Sequence, residues 1–311
     1  MVLMFISGSF RRAAALVLAG GVWLGGLGGC AAPPAPDDGK PQVIAAIYPL
    51  AWLAGAIAGP RADVVTLVPP GTEPHDYELT PRQLADLRTA AVVVYQQGVT
   101  AAADEAITQA APAHLVETGR LVTRLPLPEG ETEAAGQYGA DPHTWLDPNN
   151  MVVFAWAIAD ALAAADPAGA TDYQAGAAAV REQLTGLDDA FRSGLTGCQR
   201  TTFLTTHAAF GYLAKAYGLT QLAIAGLSPE DEPSPRHLGE LAAQARSLGL
   251  TTVFFETLIS PDYAETLADD LGLRTDVLDP IEAVTPASRG ADYPTIMQAN
   301  LAALRTANAC P

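Results

Sequence analysis

Short β-branched runs alternate with helical stretches along most of this chain, and the alternation occurs twice. Strands joined by helices in this way form parallel sheets with right-handed crossovers. The first four predicted strands cover residues 43–48, 63–68, 91–95 and 114–117, and the second four cover residues 202–206, 219–225, 252–256 and 274–278. The sequence therefore predicts an α/β fold of two lobes, each with a four-stranded, mostly parallel sheet flanked by helices.

An Ala-rich segment with strong helical character separates the two strand sets. Within it, apolar side chains recur every three or four residues, as one stripe of a helix requires: Tyr173, Ala177, Val180, Leu184, Leu187 and Phe191. We expect a long, rigid backbone helix at residues 169–197. It would join an N-terminal lobe at residues 42–168 to a C-terminal lobe at residues 198–311.

The N-terminus has the pattern of an export signal. Two arginines precede a short apolar run that ends in Leu-Gly-Gly-Cys at residues 27–30. This ending resembles a bacterial lipobox, in which Cys30 would be diacylated and become the mature N-terminus; a plain signal peptide is the alternative. Residues 1–29 are then a lipoprotein signal peptide and residues 30–41 a flexible stalk. No later segment has 18 uninterrupted apolar residues, so we expect a soluble, extracytoplasmic protein anchored to the cell membrane by lipid alone.

The charge and the cysteines agree with export. The formal charge is −17, from 17 Lys and Arg against 34 Asp and Glu, which disfavours nucleic acid and anionic lipid surfaces as partners. With Cys30 lipidated, Cys198 and Cys310 remain as a pair that an oxidising compartment would join in a disulfide; two buried thiols are the alternative. Residues 124–141, rich in Pro, Gly and Glu, are interpreted as a solvated acidic loop.

Histidines and one aspartate stand at predicted strand ends, where ligands bind in open α/β sheets. His75 follows the second strand, His143 precedes the Ala-rich helices, His207 ends the fifth strand and Asp279 follows the last. A single residue of this kind at a strand end more often has a structural role than a metal-binding one. Together, three neutral imidazoles and a carboxylate suit Zn²⁺, provided that the four groups converge on the cleft between the lobes.

The sequences around these residues resemble one family throughout. They are Pro-Gly-x-x-Pro-His-x-Tyr at residues 70–77, Asp-Pro-His-x-Trp-Leu-Asp-Pro at 141–148, Thr-His-Ala-Ala-Phe-Gly-Tyr-Leu at 206–213, Gly-Leu-Ser-Pro-Glu at 226–230, and Phe-Phe-Glu at 254–256. The family is the cluster A-I solute-binding proteins of ABC transporters, the high-affinity zinc and manganese receptors. The resemblance covers nearly all of residues 41–311. It implies two lobes joined by a rigid helix, a metal ion held between them and limited closure.

The resemblance also implies a ligand set. The family's ligands fall on His75, His143, His207 and Asp279, with Glu73 and Glu256 as rival fourth ligands. Manganese-specific members usually have Glu at the third position, whereas this chain has His207, and a third nitrogen shifts the preference toward Zn²⁺. The chain lacks the His-rich loop of many zinc receptors.

The expected function is therefore a zinc receptor, not an enzyme, that captures Zn²⁺ between its lobes and delivers it to the membrane permease of an ABC transporter. A manganese or iron receptor of the same family is one alternative. A secreted zinc hydrolase is the other, although four protein ligands would close the metal shell and no separate general base is evident. We expect a monomer.

Overall fold

A computed structural model of the chain describes residues 39–127 and 139–311. The signal peptide, Cys30, most of the stalk and the middle of the acidic loop lie outside these residues. Residues 39–311 form one compact unit. No helix among the described residues has the length and apolar character needed to cross a membrane.

Both predicted sheets are present, and both are parallel throughout. The N-terminal sheet has the order β2-β1-β3-β4 and the C-terminal sheet β6-β5-β7-β8, so the two lobes share one topology. The strands are β1 Gln42–Ala45, β2 Asp63–Thr66, β3 Val92–Tyr95, β4 Leu115–Glu117, β5 Thr202–Thr205, β6 Thr220–Ala223, β7 Thr252–Phe255 and β8 Arg274–Val277. The prediction of two four-stranded lobes is confirmed, with strands up to three residues shorter than expected.

Helices connect the strands and cover the sheets. Their bounds are α1 Tyr48–Ala58, α2 Pro81–Thr89, α3 Ala101–Ala110, α4 Pro148–Ala165, α5 Ala170–Gly194, α6 Gly211–Tyr217, α7 Pro235–Ser247, α8 Asp262–Leu271 and α9 Tyr293–Asn308. Several begin at sequence signals that satisfy the free N–H groups of a first turn. Thr80 caps α2 in a capping box, with Pro81 at the first position, and Asp147 caps α4 through the Asn149 N–H.

The long helix α5 lies within the predicted connecting segment and packs on both lobes. It contacts α1 of the N-terminal lobe and α9 of the C-terminal lobe, and its predicted apolar stripe is buried. Gly176 permits the first contact, because a Cβ at this position would lie 2.3 Å from the Ile57 carbonyl oxygen. Since α5 is held on both sides along its length, it fixes the lobes relative to each other.

One continuous apolar core runs through both lobes and α4 and α5. It includes Trp145, Phe154 and Tyr173 from the N-terminal lobe and connector, together with Phe203 and Tyr293 from the C-terminal lobe. Separate apolar layers cover the outer face of each sheet. A shared core of this kind favours a fixed arrangement of the lobes, because sliding one past the other would expose large buried side chains.

The C-terminus is fixed to the start of the C-terminal sheet. Cys198 and Cys310 form a disulfide across 112 positions, as predicted. Backbone hydrogen bonds support the same junction, with Arg200 N–H donating to the Asn308 carbonyl at 3.1 Å. The closing helix α9 is therefore tied covalently to the beginning of β5.

Candidate metal centre

The site lies where loops from the carboxyl ends of both sheets meet. His75 stands on the loop after β2, and His143 precedes the short 3-10 turn Thr144–Leu146 that leads into α4. His207 follows β5 by two residues, and the loop after β8 carries Asp279 and Glu282. The crossovers of the parallel sheets thus bring residues from distant parts of the sequence to one cleft.

Three histidines and one glutamate converge there. His75, His143, His207 and Glu282 each offer a ligand atom, all of these atoms lie within 4.8 Å of one another, and every residue is at most 2% exposed. Glu282 Oε1 is 3.3 Å from His75 Nε2, 3.1 Å from His143 Nε2 and 3.6 Å from His207 Nε2. Ligand atoms about 2.0–2.1 Å from a tetrahedral zinc ion are themselves roughly 3.3 Å apart, so the spacing fits that geometry.

Two further carboxylates orient the imidazoles. Asp141 Oδ1 is 2.9 Å from His143 Nδ1, and Glu256 Oε1 is 2.6 Å from His207 Nδ1 and accepts the Thr206 hydroxyl at 2.8 Å. An imidazole that donates its Nδ1–H to a carboxylate presents the lone pair of Nε2 to a cation. Both rings point Nε2 into the cluster, so a neutral imidazole that carries its proton on Nδ1 can bind a metal ion there.

The charges around the cluster favour a cation at its centre. Burial lowers the pKa of the His207 imidazole, but Glu256 and Glu282 outweigh this effect and hold the pKa well above its ordinary value. Burial also lowers the pKa of the His143 imidazole, and Asp141 and Glu282 outweigh this effect, so that its pKa is raised as well. Burial raises the pKa of Glu282, yet the three histidines reverse this and place it well below the usual range. The neighbouring carboxylates therefore favour positive charge at the histidines, and the histidines favour the ionised form of Glu282.

Unpaired polar atoms point to a ligand as well. His207 Nε2 and Glu282 Oε2 are buried, and neither has a hydrogen-bond partner among the described residues. Buried polar atoms in folded proteins are nearly always paired, since an unpaired one loses its hydration without compensation. A divalent cation bound by the three imidazole nitrogens and the Glu282 carboxylate would give His207 Nε2 a partner. The donor set therefore fits a divalent metal ion.

The structure brings together three of the four residues that the sequence predicts as ligands. Asp279 lies outside the group, because its Oδ1 accepts the Ile281 N–H at 2.8 Å and its Oδ2 accepts the Ser288 hydroxyl at 2.9 Å. Glu282, not Asp279, groups with the three histidines in the structure. The motif match pointed to Asp279 and not to Glu282, although Glu282 lies only three residues further along the same loop.

The two rival carboxylates have other positions. Glu256 contacts the far nitrogen of His207, as described above. Glu73 Oε2 accepts the His75 N–H at 2.9 Å, and its Oε1 is 4.0 Å from His75 Nε2. Glu73 also borders a cavity of about 580 Å³, together with Thr72, Asp76, Tyr77, Glu78 and Glu230. Its carboxylates make this opening beside His75 acidic.

Comparisons with known proteins show which proteins the chain resembles. The family model described as ZnuA, zinc-uptake complex component A, periplasmic, matches residues 43–307. The zinc-binding lipoprotein AdcA of Streptococcus pneumoniae serotype 4 is 35% identical over 279 residues, which are 86% of this chain and 56% of that protein. The high-affinity zinc uptake system protein ZnuA of Bacillus subtilis is 31% identical over 278 residues, which are 86% of this chain and 87% of that protein.

A solved structure shows the same fold. The crystal structure of Zn(II)-bound AdcA from Streptococcus pneumoniae matches with a TM-score of 0.74 and 32% identity, over 86% of this chain and 58% of that one. The chain thus spans little more than half the length of the AdcA proteins it matches. Because the family model covers nearly all of the two lobes, the chain belongs to the family of the periplasmic zinc-uptake complex component A.

Proposed function

We propose that this protein is a zinc receptor that captures Zn²⁺ between its lobes through His75, His143, His207 and Glu282. The observation that carries the proposal is the convergence of four buried residues, among which His207 Nε2 and Glu282 Oε2 have no hydrogen-bond partner among the described residues. Relatives named as zinc-binding and zinc-uptake proteins support the identity of the metal.

The donor set favours zinc over the alternatives within the same family. Three imidazole nitrogens and one carboxylate oxygen form a borderline-soft, four-coordinate site, whereas Mn²⁺ prefers more oxygen ligands. Zn²⁺ also stands above Mn²⁺ and Fe²⁺ in the affinity order of divalent ions. The same set favours a receptor over a zinc hydrolase, because four protein ligands leave no tetrahedral position for a reactive water.

The cellular setting follows from the N-terminal sequence. Lipidation at Cys30 would hold the receptor at the outer face of the cell membrane, where it would deliver zinc as a monomer to the permease of an ABC transporter. The lipoprotein name of the relatives supports such an anchor. Metabolic labelling with a radioactive or clickable fatty acid tests it, since label should be incorporated by the wild-type protein and not by Cys30→Ala.

Metal competition tests the central proposal. Metal-stripped protein is exposed to an equimolar mixture of Zn²⁺, Mn²⁺, Fe²⁺ and Co²⁺ under anaerobic conditions, separated from free ions and analysed for its elemental content. We expect close to one zinc per chain and little of the other ions. The variant with His75, His143 and His207 all changed to Ala should retain none. Predominant manganese in the wild-type protein would favour the manganese receptor instead.

A further inference from the structure

The turn between Asp279 and Glu282 has an unusual backbone conformation. Ile281 has a φ of 62°, in the left-handed region, although it is β-branched and fully buried. A β-branched residue adopts this region only where its surroundings fix it there. The conformation matters for the site, because it directs the next residue, Glu282, toward the three histidines.

Asp279 makes the contacts that fix this turn. Its Oδ1 accepts the N–H of Ile281 itself at 2.8 Å, closing an Asx turn, and its Oδ2 accepts the hydroxyls of Ser288 at 2.9 Å and Thr257 at 3.3 Å. The main chain of Asp279 is also held by Asn300, whose Oδ1 accepts its N–H at 2.9 Å and whose Nδ2 donates to its carbonyl at 2.7 Å. Asp279 therefore joins the turn to the loop after β7, to Ser288 further along its own loop and to α9.

The other end of the turn is held by the N-terminal lobe. Trp145 Nε1 donates to the Pro280 carbonyl at 2.8 Å, and the Tyr48 N–H donates to the Glu282 carbonyl at 3.4 Å. The backbone is thus held on both sides of Ile281, while the Glu282 carboxylate itself contacts only the histidines among the described residues. Within the described part of the chain, the acceptor of the N–H of the left-handed residue is the Asp279 carboxylate.

We propose that Asp279 is a positioning residue for metal capture: it holds the Ile281 turn in the conformation that presents the Glu282 carboxylate to the cation. This inference rests on the proposed metal-binding function. Asp279 would act entirely through Glu282, so its removal should matter only while Glu282 is present.

A double-mutant cycle measures that dependence. Zn²⁺ affinity is determined by competition with a fluorescent chelator for the wild-type protein, Asp279→Ala, Glu282→Ala and the double variant. We expect Asp279→Ala to weaken binding roughly 10- to 100-fold, as loss of a supporting contact to a metal ligand does. In the Glu282→Ala background the same change should alter affinity by less than about twofold, the range of independent sites.

Cobalt provides a readout that a merely structural role would not change. The visible absorption of bound Co²⁺ reports the number and type of its ligands, and Asp279→Ala should give the spectrum of Glu282→Ala. Asp279→Asn retains a carbonyl oxygen for the Ile281 N–H, so it should restore the wild-type spectrum and keep affinity within about twofold. This conservative variant also remains informative if Asp279→Ala does not fold.

The outcomes separate the possibilities. Equal losses from Asp279→Ala in both backgrounds, or a wild-type cobalt spectrum in Asp279→Ala, would overturn the positioning role. A large loss in Asp279→Asn would overturn it as well and would identify Asp279 as a direct ligand. If the wild-type protein binds neither Zn²⁺ nor Co²⁺, the proposed function fails and this inference fails with it.

Discussion

Removal of the Glu256 side chain should weaken zinc binding although Glu256 does not belong to the ligand cluster. Its carboxylate is 2% exposed and lies 2.6 Å from His207 Nδ1, and no other hydrogen-bond partner for that nitrogen is recorded among the described residues. In Glu256→Ala the imidazole loses its orientation and a buried N–H is left unpaired. The divalent ion carries twice the charge of the proton that it displaces, so the Glu256 carboxylate stabilises the zinc-bound state more than the metal-free state. Its loss should therefore weaken zinc binding.

The size of the effect follows from the contact. A hydrogen bond to a charged group contributes about 1.5–3 kcal/mol. Because each 1.4 kcal/mol changes an equilibrium constant tenfold, we expect a loss of roughly 10- to 100-fold in zinc affinity. Glu256→Gln keeps an acceptor for Nδ1–H without the charge, so its loss should be smaller.

Chelator competition at pH 8 measures the zinc affinity of the wild-type protein, of Glu256→Ala and of Glu256→Gln. The exposed Glu182 on α5 provides a matched control. Glu182→Ala makes the same change in net charge far from any contact with His207 and should leave the affinity unchanged. An affinity of Glu256→Ala within threefold of the wild type, in a protein that melts normally, would refute the argument that this carboxylate orients His207.

Three further predictions concern pH, selectivity and the cross-link. The raised pKa values of His143 and His207 mean that protons compete for the site from above pH 6.5, so zinc affinity should fall between pH 8 and 6; a flat chelator titration over that range would contradict this. The raised pKa values of the two histidines also stabilise the metal-free fold below about pH 6.5, and this stabilisation is lost as the pH rises through those pKa values. Urea unfolding of the metal-free protein at several pH values can detect the change in the free energy of unfolding. His207→Glu should lose zinc affinity and gain manganese affinity without reversing the order, as calorimetry with both ions would show; an unchanged ratio would argue against the role of the third nitrogen. Replacing Cys198 and Cys310 by Ser should lower the free energy of unfolding by about 2–4 kcal/mol and leave zinc affinity unchanged, because the disulfide restricts the unfolded chain and lies away from the ligands; equal urea midpoints would contradict this.

The fold is largely predictable from the sequence because its signals are local. The eight strands and the helices α2, α4, α5 and α9 follow from β-branched runs, apolar periodicity and caps such as Thr80 and Asp147, which act within a few residues. The helix α3 has a weaker signal, because its buried face is formed by Ala103, Ala106 and Ile107, which give a weak apolar pattern.

Part of the site is predictable for a similar reason. His75, His143 and His207 stand in strongly marked loops at strand ends, and parallel topology carries such loops to one edge of each sheet. The disulfide follows from the export signal and the number of cysteines. These conclusions need only the order of elements and the compartment, both of which the sequence determines.

Which carboxylate lies with the three histidines was decided by the tertiary structure alone. Asp279 and Glu282 are both acidic and lie in the same loop, so no local pattern distinguishes them. The roles that we propose for them depend on the left-handed backbone at Ile281, a conformation that its β-branched side chain disfavours. Hydrogen bonds to the neighbouring Asp279 and Pro280 come from other segments of the chain: Trp145, Thr257, Ser288 and Asn300. The orientation of His143 by Asp141 and of His207 by Glu256 depends likewise on side-chain geometry in the assembled cleft. Sequence determines which groups reach the cleft, whereas packing and hydrogen bonds between distant segments determine which of them face the ion.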